Sequence, residues 1–490
     1  MLSAVLMTLA MTSGALADEE EALAWPPDAL EQRGLAAVEP VAPVDSPTVV
    51  LAGGTVMTAA GAKHSPGYVV LEAGRIVDVG AGAAPKVDGA KVLDVSGHWV
   101  TPGLIDTHSH LGVYPSPRGL AHSDGNEASA PTTPGVWAEH SFWPQDPGIE
   151  DAVAGGITSM QVLPGSANLI GGRGVVLHMV TARGSRAMRF PGAPETLKMA
   201  CGENPKRVYG HHKGGSPSTR MGNLRGHRMA FMAAAEKMDE WRRFAEKKAD
   251  WDEKKAAFDE FESSGSKKKK GSPEDPGDEP VAPTRDLDIE TLIRVLRGEI
   301  LVQVHCYRAD DMLSMLQVAD EAQFEIRSFH HALEAYKIRD VLADKGVAAS
   351  TWADWWGFKL EAYDGIQENA AMLQEAGGTP IIHSDSSIGI QRLNQEASKA
   401  YFAGQAAGFE VDEDQALQWI TLNPAWAIGI DGEVGSLEKG KRADVVVWDQ
   451  HPFSVYAAAR WVFVDGALRY DRGKPGEPWS DFELGQEVGQ

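Results

Sequence analysis

The sequence predicts an α/β protein, a (β/α)8 TIM barrel carrying a small β-sandwich assembled from both ends of the chain. Strands and helices alternate through the middle of the chain, as parallel α/β units do. Short runs of alternating apolar residues, each closed by Gly or Asp, occur only near the two ends. A length of 490 residues leaves room for a barrel of roughly 250 to 350 residues beside an accessory domain. The 43% hydrophobic and 23% charged content is that of a globular protein with a large core.

Residues 1–17 form an apolar segment ending in Ala15-Leu-Ala17 before acidic Asp18, the core and small-residue cleavage pattern of a signal peptide, although no basic residue precedes it. The expectation is an exported protein, periplasmic or secreted. Residues 18–47, rich in Pro, Glu and Ala without periodicity, read as an N-terminal tail. The runs 49–57, 67–71, 75–79 and 91–95 read as antiparallel strands, and similar runs return at 443–448 and 461–470. Residues 48–100 and 431–475 therefore make the sandwich, 101–430 the barrel, and 476–490 a C-terminal tail.

Inside the barrel region, the first strand ends at His110. A Pro- and Gly-rich loop over 111–148 is suited to an active-site wall. A helix closes at 152–156 and a second strand follows at 157–163. The Gly-rich stretch 164–174 reads as a loop; it lacks the Lys-Ser/Thr ending of a phosphate loop, so close backbone approach to a substrate is expected and nucleotide binding is not. Residues 195–202 read as the fourth strand. The stretch 222–297 breaks the alternation with a helix over 229–261, a charged low-complexity loop over 263–283 and a helix over 287–297. It is expected to be an insertion remote from the chemistry and a place for homo-oligomer contacts. Residues 300–306 are almost continuously apolar, the mark of a strand covered on both faces, and 380–387 end the last strand.

Formal charge of −23 and a pI near 5.1 argue against a nucleic-acid or anionic-membrane partner, both of which need clustered Lys and Arg. The one basic run, 267–270, reads as a solvated loop. No stretch beyond the first 17 residues approaches the roughly 20 apolar residues of a membrane span. Cys201 and Cys306 each adjoin a strand of the expected site and read as free buried thiols rather than a bridge.

The chemistry gathers around Val100-Thr-Pro-Gly-Leu-Ile-Asp-Thr-His-Ser-His110. On a strand, side chains two apart share a side, so His108 and His110 can meet one cation. Alone, that pair is weak evidence, and two satisfied surface histidines is the plainer reading. His305 and His331 at the ends of other apolar runs, with Asp385 after the last, complete the inventory of a hydrolytic zinc site.

Pro102-Gly-Leu-Ile-Asp-Thr-His-Ser-His110, Thr421-Leu-Asn-Pro-Ala-Trp-Ala-Ile-Gly429 and Gly435-Ser-Leu-Glu-Lys-Gly-Lys-Arg-Ala-Asp-Val-Val-Val447 resemble, in that order, the metal-dependent amidohydrolase superfamily. Within it the chain is most similar to the imidazolonepropionase-like and Xaa-Pro dipeptidase-like branch, over about residues 49–472. The resemblance implies two zinc ions. His108, His110 and Asp385 would hold one, and His305 and His331 the other. Lys198, carboxylated by carbon dioxide, would bridge them together with hydroxide. Left open are Glu195 as ligand, or an ordinary Lys198 beside a single metal. His331 is preferred to His330 because the family places its ligand before a small residue, here Ala332; His383 and Ser384 are expected to support. Asp385 is the expected proton carrier. For substrate binding the candidates are Tyr307, Arg308 and Arg173, then Tyr209, His211 and His212. Arg308 is also placed to pair with Asp310 or Asp311, and the tryptophans of 352–357 either line an apolar pocket or pack. The implied activity is cleavage of an amide-type C–N bond of a small molecule, a dipeptide first and a cyclic amide of imidazolonepropionate type second, by a zinc-bound hydroxide. The competing class is a non-catalytic barrel used for binding; a full set of ligand positions favours the enzyme.

Overall fold

The structure is a computed structural model describing residues 46–180 and 182–474; the expected signal peptide, the tail up to residue 45 and the C-terminal tail lie outside the described residues. The described residues open with five strands: β1 (Val49–Met57), β2 (Lys63–Glu72), β3 (Arg75–Ala81), β4 (Lys91–Asp94) and β5 (Trp99–Pro102). The barrel supplies β6 (Leu104–Ser109), β7 (Ile157–Val162), β8 (Ile170–His178), β9 (Glu195–Ala200), β10 (Ile300–Cys306), β11 (Ile326–His331), β12 (Ala348–Thr351) and β13 (Pro380–Ile382). Strands β14 (Val445–Trp448), β15 (Ala459–Val464) and β16 (Ala467–Asp471) end it. The helices that concern the site are α1 (Pro147–Ala154), α2 (Arg220–Ser263), α3 (Leu287–Leu296), α4 (Ala309–Ala322), α5 (Asn369–Glu375), α6 (Leu393–Ala406) and α7 (Leu422–Ala427).

The terminal strands join across the chain. Their sheet runs β16-β15-β14-β5-β1-β2-β3, with β4 also on β1, and β14 lies antiparallel to β5, Val445 opposite Pro102. Alternate residues, among them Val49, Leu51, Val69, Leu71, Val445, Val447 and Phe463, point inward to one core, as a pleated strand with one buried face requires.

The other eight strands stand side by side in chain order, β6 to β13. The Asp385 amide donates to the His108 carbonyl at 2.9 Å, bringing the segment after β13 against β6. All of β6, β7 and β9 is buried, because the barrel fills one face of each strand and its outer layer covers the other. One departure from the expected alternation is clear: β8 runs antiparallel to both neighbours. Only residues 163–169 separate it from β7, too few for the dozen or more of a parallel crossover, so the chain doubles back. Half of the expected loop 164–174 is therefore strand. Gly172, at φ 118°, is needed there, since a Cβ would stand 2.5 Å from the Val136 carbonyl.

Between β9 and β10 the chain is mostly α2. Thr219 caps its start by accepting from the Gly222 amide at 3.1 Å. Asn223, His227, Phe231, Ala234 and Trp241 anchor one stripe of its first half. Beyond Trp241 it is a charged rod laced by pairs such as Lys248–Asp252 (2.5 Å) and Lys254–Asp250 (2.6 Å), exposed pairs that add little to stability. The return segment follows the rod; Pro273, Pro276, Pro280 and Pro283 are half-buried, and Trp251 Nε1 donates to the Gly277 carbonyl at 3.0 Å.

The cysteines correct the sequence reading. Cys201 follows β9 and Cys306 ends β10, adjacent parallel strands that set their Cα atoms 5.4 Å apart, and the two form a disulfide. Among the described residues, no helix is long and apolar enough to cross a membrane.

Candidate active site

The strand ends at one mouth of the barrel carry the expected residues, which is where barrels of this class gather catalytic groups. His108 and His110 leave β6, Lys198 lies in β9, His305 in β10, His331 ends β11, and His383 and Asp385 follow β13. Two of these stand in the left-handed region, His331 at φ 74° and Asp385 at φ 48°, a conformation that costs a non-glycine residue about 1–3 kcal/mol and persists where the surroundings over-determine it. Here β13 and the hydrogen bond to His108 hold the turn. Ser384 adds to it: its amide donates to Asp106 Oδ1 at 3.0 Å, and its hydroxyl donates to Asp106 Oδ2. Burial pushes the Asp106 carboxyl up to about 7, against those bonds.

His108 is the hub. Its Nε2 lies 3.3 Å from His110 Nε2, 3.3 Å from Lys198 Nζ and 3.7 Å from Asp385 Oδ1. Asp385 Oδ1 is 3.2 Å from His110 Nε2, and His110 Nδ1 donates to the Leu163 carbonyl at 2.8 Å, which leaves its Nε2 lone pair facing the same point. Two clusters of three close donor atoms share His108: His108, His110 and Asp385 form one, and His108, His331 and His383 the other. His305 adjoins the second, ring to ring 4.5 Å from His331, with its Nε2 3.4 Å from Asn204 Nδ2. His330, the alternative to His331, lies behind His108 instead, Nδ1 to Nδ1 at 2.9 Å.

The electrostatics suit a cation that the donors themselves do not supply. Burial holds His108, His305, His330 and His331 well below the usual imidazole range, so they are neutral and present lone pairs. Burial lowers His383 to about 3 and the Lys198 amine to about 7. For Asp385, burial acts upward, but the polar surroundings supplied by His110, His383 and Lys198 outweigh it and hold the carboxylate below its ordinary range. The Nδ1 atoms of His305, His331 and His383 are buried with no hydrogen-bond partner, an exception to ordinary protein interiors that a missing partner explains. Imidazoles with one carboxylate are a zinc donor set. The residues fit a divalent metal.

The substrate candidates divide. Tyr307 is at the site, its ring stacked 5.0 Å from that of His331. Arg173 is not. It is 1% exposed, donates to Glu195 Oε2 at 3.0 Å and Thr291 Oγ1 at 2.7 Å, and lies 4.6 Å from the Trp137 ring centroid. Its place on β8 rather than in a loop turns it into the wall. Arg308 pairs with Asp310 at 2.8 Å on the surface, the alternative open from sequence. Glu195, the other bridging candidate, is engaged by Arg173 and Arg294. Tyr209 donates to the Ala130 carbonyl, and His211 and His212 are exposed. The tryptophans do line the site: Trp352 stacks 4.6 Å from His331 and Trp355 5.3 Å from Trp352, and a cavity of about 440 Å³ runs from His383 and Ser384 past both to Ile388. Lys359, 3.8 Å over the Tyr307 ring, was missed in sequence because it sits in a loop without periodicity or motif.

The amidohydrolase family matches residues 288–471. The amidohydrolase tasK of Hapsidospora irregularis is 33% identical over 426 residues, 83% of this chain and 40% of that protein, so the chain spans less than half its length. The 5-methylthioadenosine/S-adenosylhomocysteine deaminase of Symbiobacterium thermophilum is 25% identical over 420 residues, 82% of this chain and 85% of that one. The crystal structure of an amidohydrolase from Thermotoga maritima MSB8 superposes with a TM-score of 0.72 at 32% identity, covering 86% of this chain and 100% of its own.

Proposed function

The chain belongs to the amidohydrolase family, and from that premise we propose that it is a metal-dependent hydrolase cleaving an amide-type C–N bond of a small substrate, a dipeptide or related amide. The observation that carries the reading is the meeting of His108, His110, Lys198, His331, His383 and Asp385 at one end of the barrel, with buried imidazole nitrogens lacking partners. His108, His110 and Asp385 would hold one zinc, and His331 with His305 or His383 a second. When bound, such ions acidify water and polarise the carbonyl under attack.

The protein groups then have distinct tasks. An ammonium between two dications would be repelled, whereas a neutral amine can add carbon dioxide, lose a proton and become a carboxylate. Burial favours the neutral amine of Lys198, which supports its carboxylation as the bridge. Asp385, ionised and 25% exposed, takes a proton from the attacking water and returns it to the departing nitrogen. Tyr307 and Trp352 form the wall against which the substrate lies, and the cavity along Trp355 accepts an apolar group beside the scissile bond. Export is part of the proposal: the Cys201–Cys306 bond fits an oxidising compartment.

A second reading, removal of an amine from a heterocycle, is favoured by the deaminase relative, which aligns over most of both chains. Turnover of dipeptides, N-acyl amino acids, cyclic amides and amino-heterocycles by the zinc-loaded protein, with and without a chelator, separates the two. Chelator-sensitive cleavage of the acyclic amides supports the first reading. Ammonia release from the heterocycles alone supports the second, and no chelator-sensitive turnover of any of them favours a non-catalytic barrel.

A further inference from the structure

A chain of buried polar groups behind His108 is not used by the chemistry above. His108 Nδ1 lies 2.9 Å from His330 Nδ1, His330 Nε2 lies 2.7 Å from Gln303 Oε1, and Gln303 Nε2 donates to the Ala427 carbonyl at 3.0 Å. His108 is 1% exposed and His330, Gln303 and Ala427 are 0% exposed, so bulk solvent does not reach these bonds. We propose that Gln303 and His330 are positioning residues that fix His108 in the tautomer whose Nε2 lone pair faces the metal, with the Ala427 carbonyl of α7 as the anchor of the relay.

The proton positions follow in order from the carbonyl end. A carbonyl only accepts, so the Gln303 amide nitrogen must face Ala427 and its oxygen must face His330. That oxygen also only accepts, so His330 carries a proton on Nε2. A neutral His330 then has a lone pair on Nδ1. The cationic form would be a buried charge with no carboxylate bonded to it, which is costly. With a lone pair on His330 Nδ1, the shared proton belongs to His108 Nδ1, and His108 Nε2 is left unprotonated among His110, Lys198 and Asp385. His110 reaches the same state by donating directly to the Leu163 carbonyl. The two ligands of the His-x-His pair are thus set by two backbone carbonyls, one directly and one through two side chains. Gln303 in β10 stands two residues before His305, so one strand carries both a member of the site and the relay behind another.

The inference rests on the reading of the site as a metal centre, and its test is separable from that reading. Zinc affinity is measured by competition with a chromogenic chelator for wild type, Gln303→Met and Gln303→Glu. Met keeps the shape and removes both bonds. A buried neutral Glu keeps an acceptor for His330 and a donor for Ala427. The expected result is a loss of roughly 10- to 100-fold in zinc affinity for Met, with most of it recovered in Glu; a merely structural Gln303 would not give that recovery. A Met variant that binds zinc as tightly as wild type, or a Glu variant no tighter than Met, overturns the proposal. Should Met fail to fold, long-range 1H–15N spectra of metal-free, 15N-histidine-labelled wild type decide, with the His330 signals assigned from His330→Asn. The relay requires the proton on His330 Nε2, and a proton on its Nδ1 overturns it. Wild type that binds no zinc fails the metal-centre reading instead.

Discussion

Substitution of Arg173 by Met tests whether that residue builds the wall or binds substrate. Its guanidinium is buried, donating to Glu195 and to Thr291 and lying against Trp137. Removing one partner of a buried pair costs about 3–5 kcal/mol because the other charge is stranded. Glu195 keeps Arg294 at 2.7 Å, which places the loss near the low end, about 3 kcal/mol. At about 2 °C per kcal/mol for a large chain, the metal-loaded variant should melt roughly 6 °C below wild type. KM for a cleaved amide should not move. Thermal unfolding followed by circular dichroism, beside steady-state kinetics, gives both readouts. An unchanged melting temperature together with a KM raised tenfold or more would refute the structural role and restore Arg173 as a substrate contact.

Other consequences are independent of that one. His227 is fully buried, donates through Nε2 to the Ala200 carbonyl at 3.1 Å, and has its pKa lowered by burial to about 4. The unfolded chain therefore binds the extra proton first: stability from this group is complete above pH 6.5 and falls by up to about 3 kcal/mol as pH drops from 6.5 to 4. Denaturant midpoints against pH should fall less steeply in His227→Gln than in wild type, and parallel profiles would contradict this. Replacing Cys201 and Cys306 by Ser opens a cross-link of sequence separation 105, for which a loss of roughly 3–5 kcal/mol is expected; an unaltered denaturation midpoint would argue against the bond. Trp355→Ala should raise KM for substrates with an aromatic group beside the scissile bond by up to about tenfold, the equivalent of one lost stacking contact, and leave glycine-type substrates unaffected. Equal losses for both substrate types would argue against an aromatic subsite.

The chemistry was legible where residue type and position coincide. Apolar runs ending in His108, His305 and His331 read as barrel strands with ligands at their ends, and the order of the short terminal runs gave the shared sheet, because period-two burial is written in one strand at a time. What depends on pairing was not legible. Glycine-rich 164–174 reads as a loop, and only the short return after β7 makes part of it a reversed strand. Arg173 and Arg308 stand beside motifs, yet strand direction sends one into the wall and a local Asp310 claims the other. Cys201 and Cys306 are 105 positions apart in sequence and adjacent only once β9 and β10 pair. The resemblance implies a supporting place for His383, and the structure gives it ligand-capable geometry with His108 and His331. Gln303 looks like one polar residue in a core strand, and nothing in the sequence links it to His330.

The central claim is a metal centre that includes Lys198. Its most direct test is metal per chain, by elemental analysis, in wild type and Lys198→Ala prepared with zinc and bicarbonate. About two metals in wild type, with at least one lost from the variant along with amide cleavage, is the predicted result. One metal or none, unchanged by the substitution, would contradict the role given to Lys198.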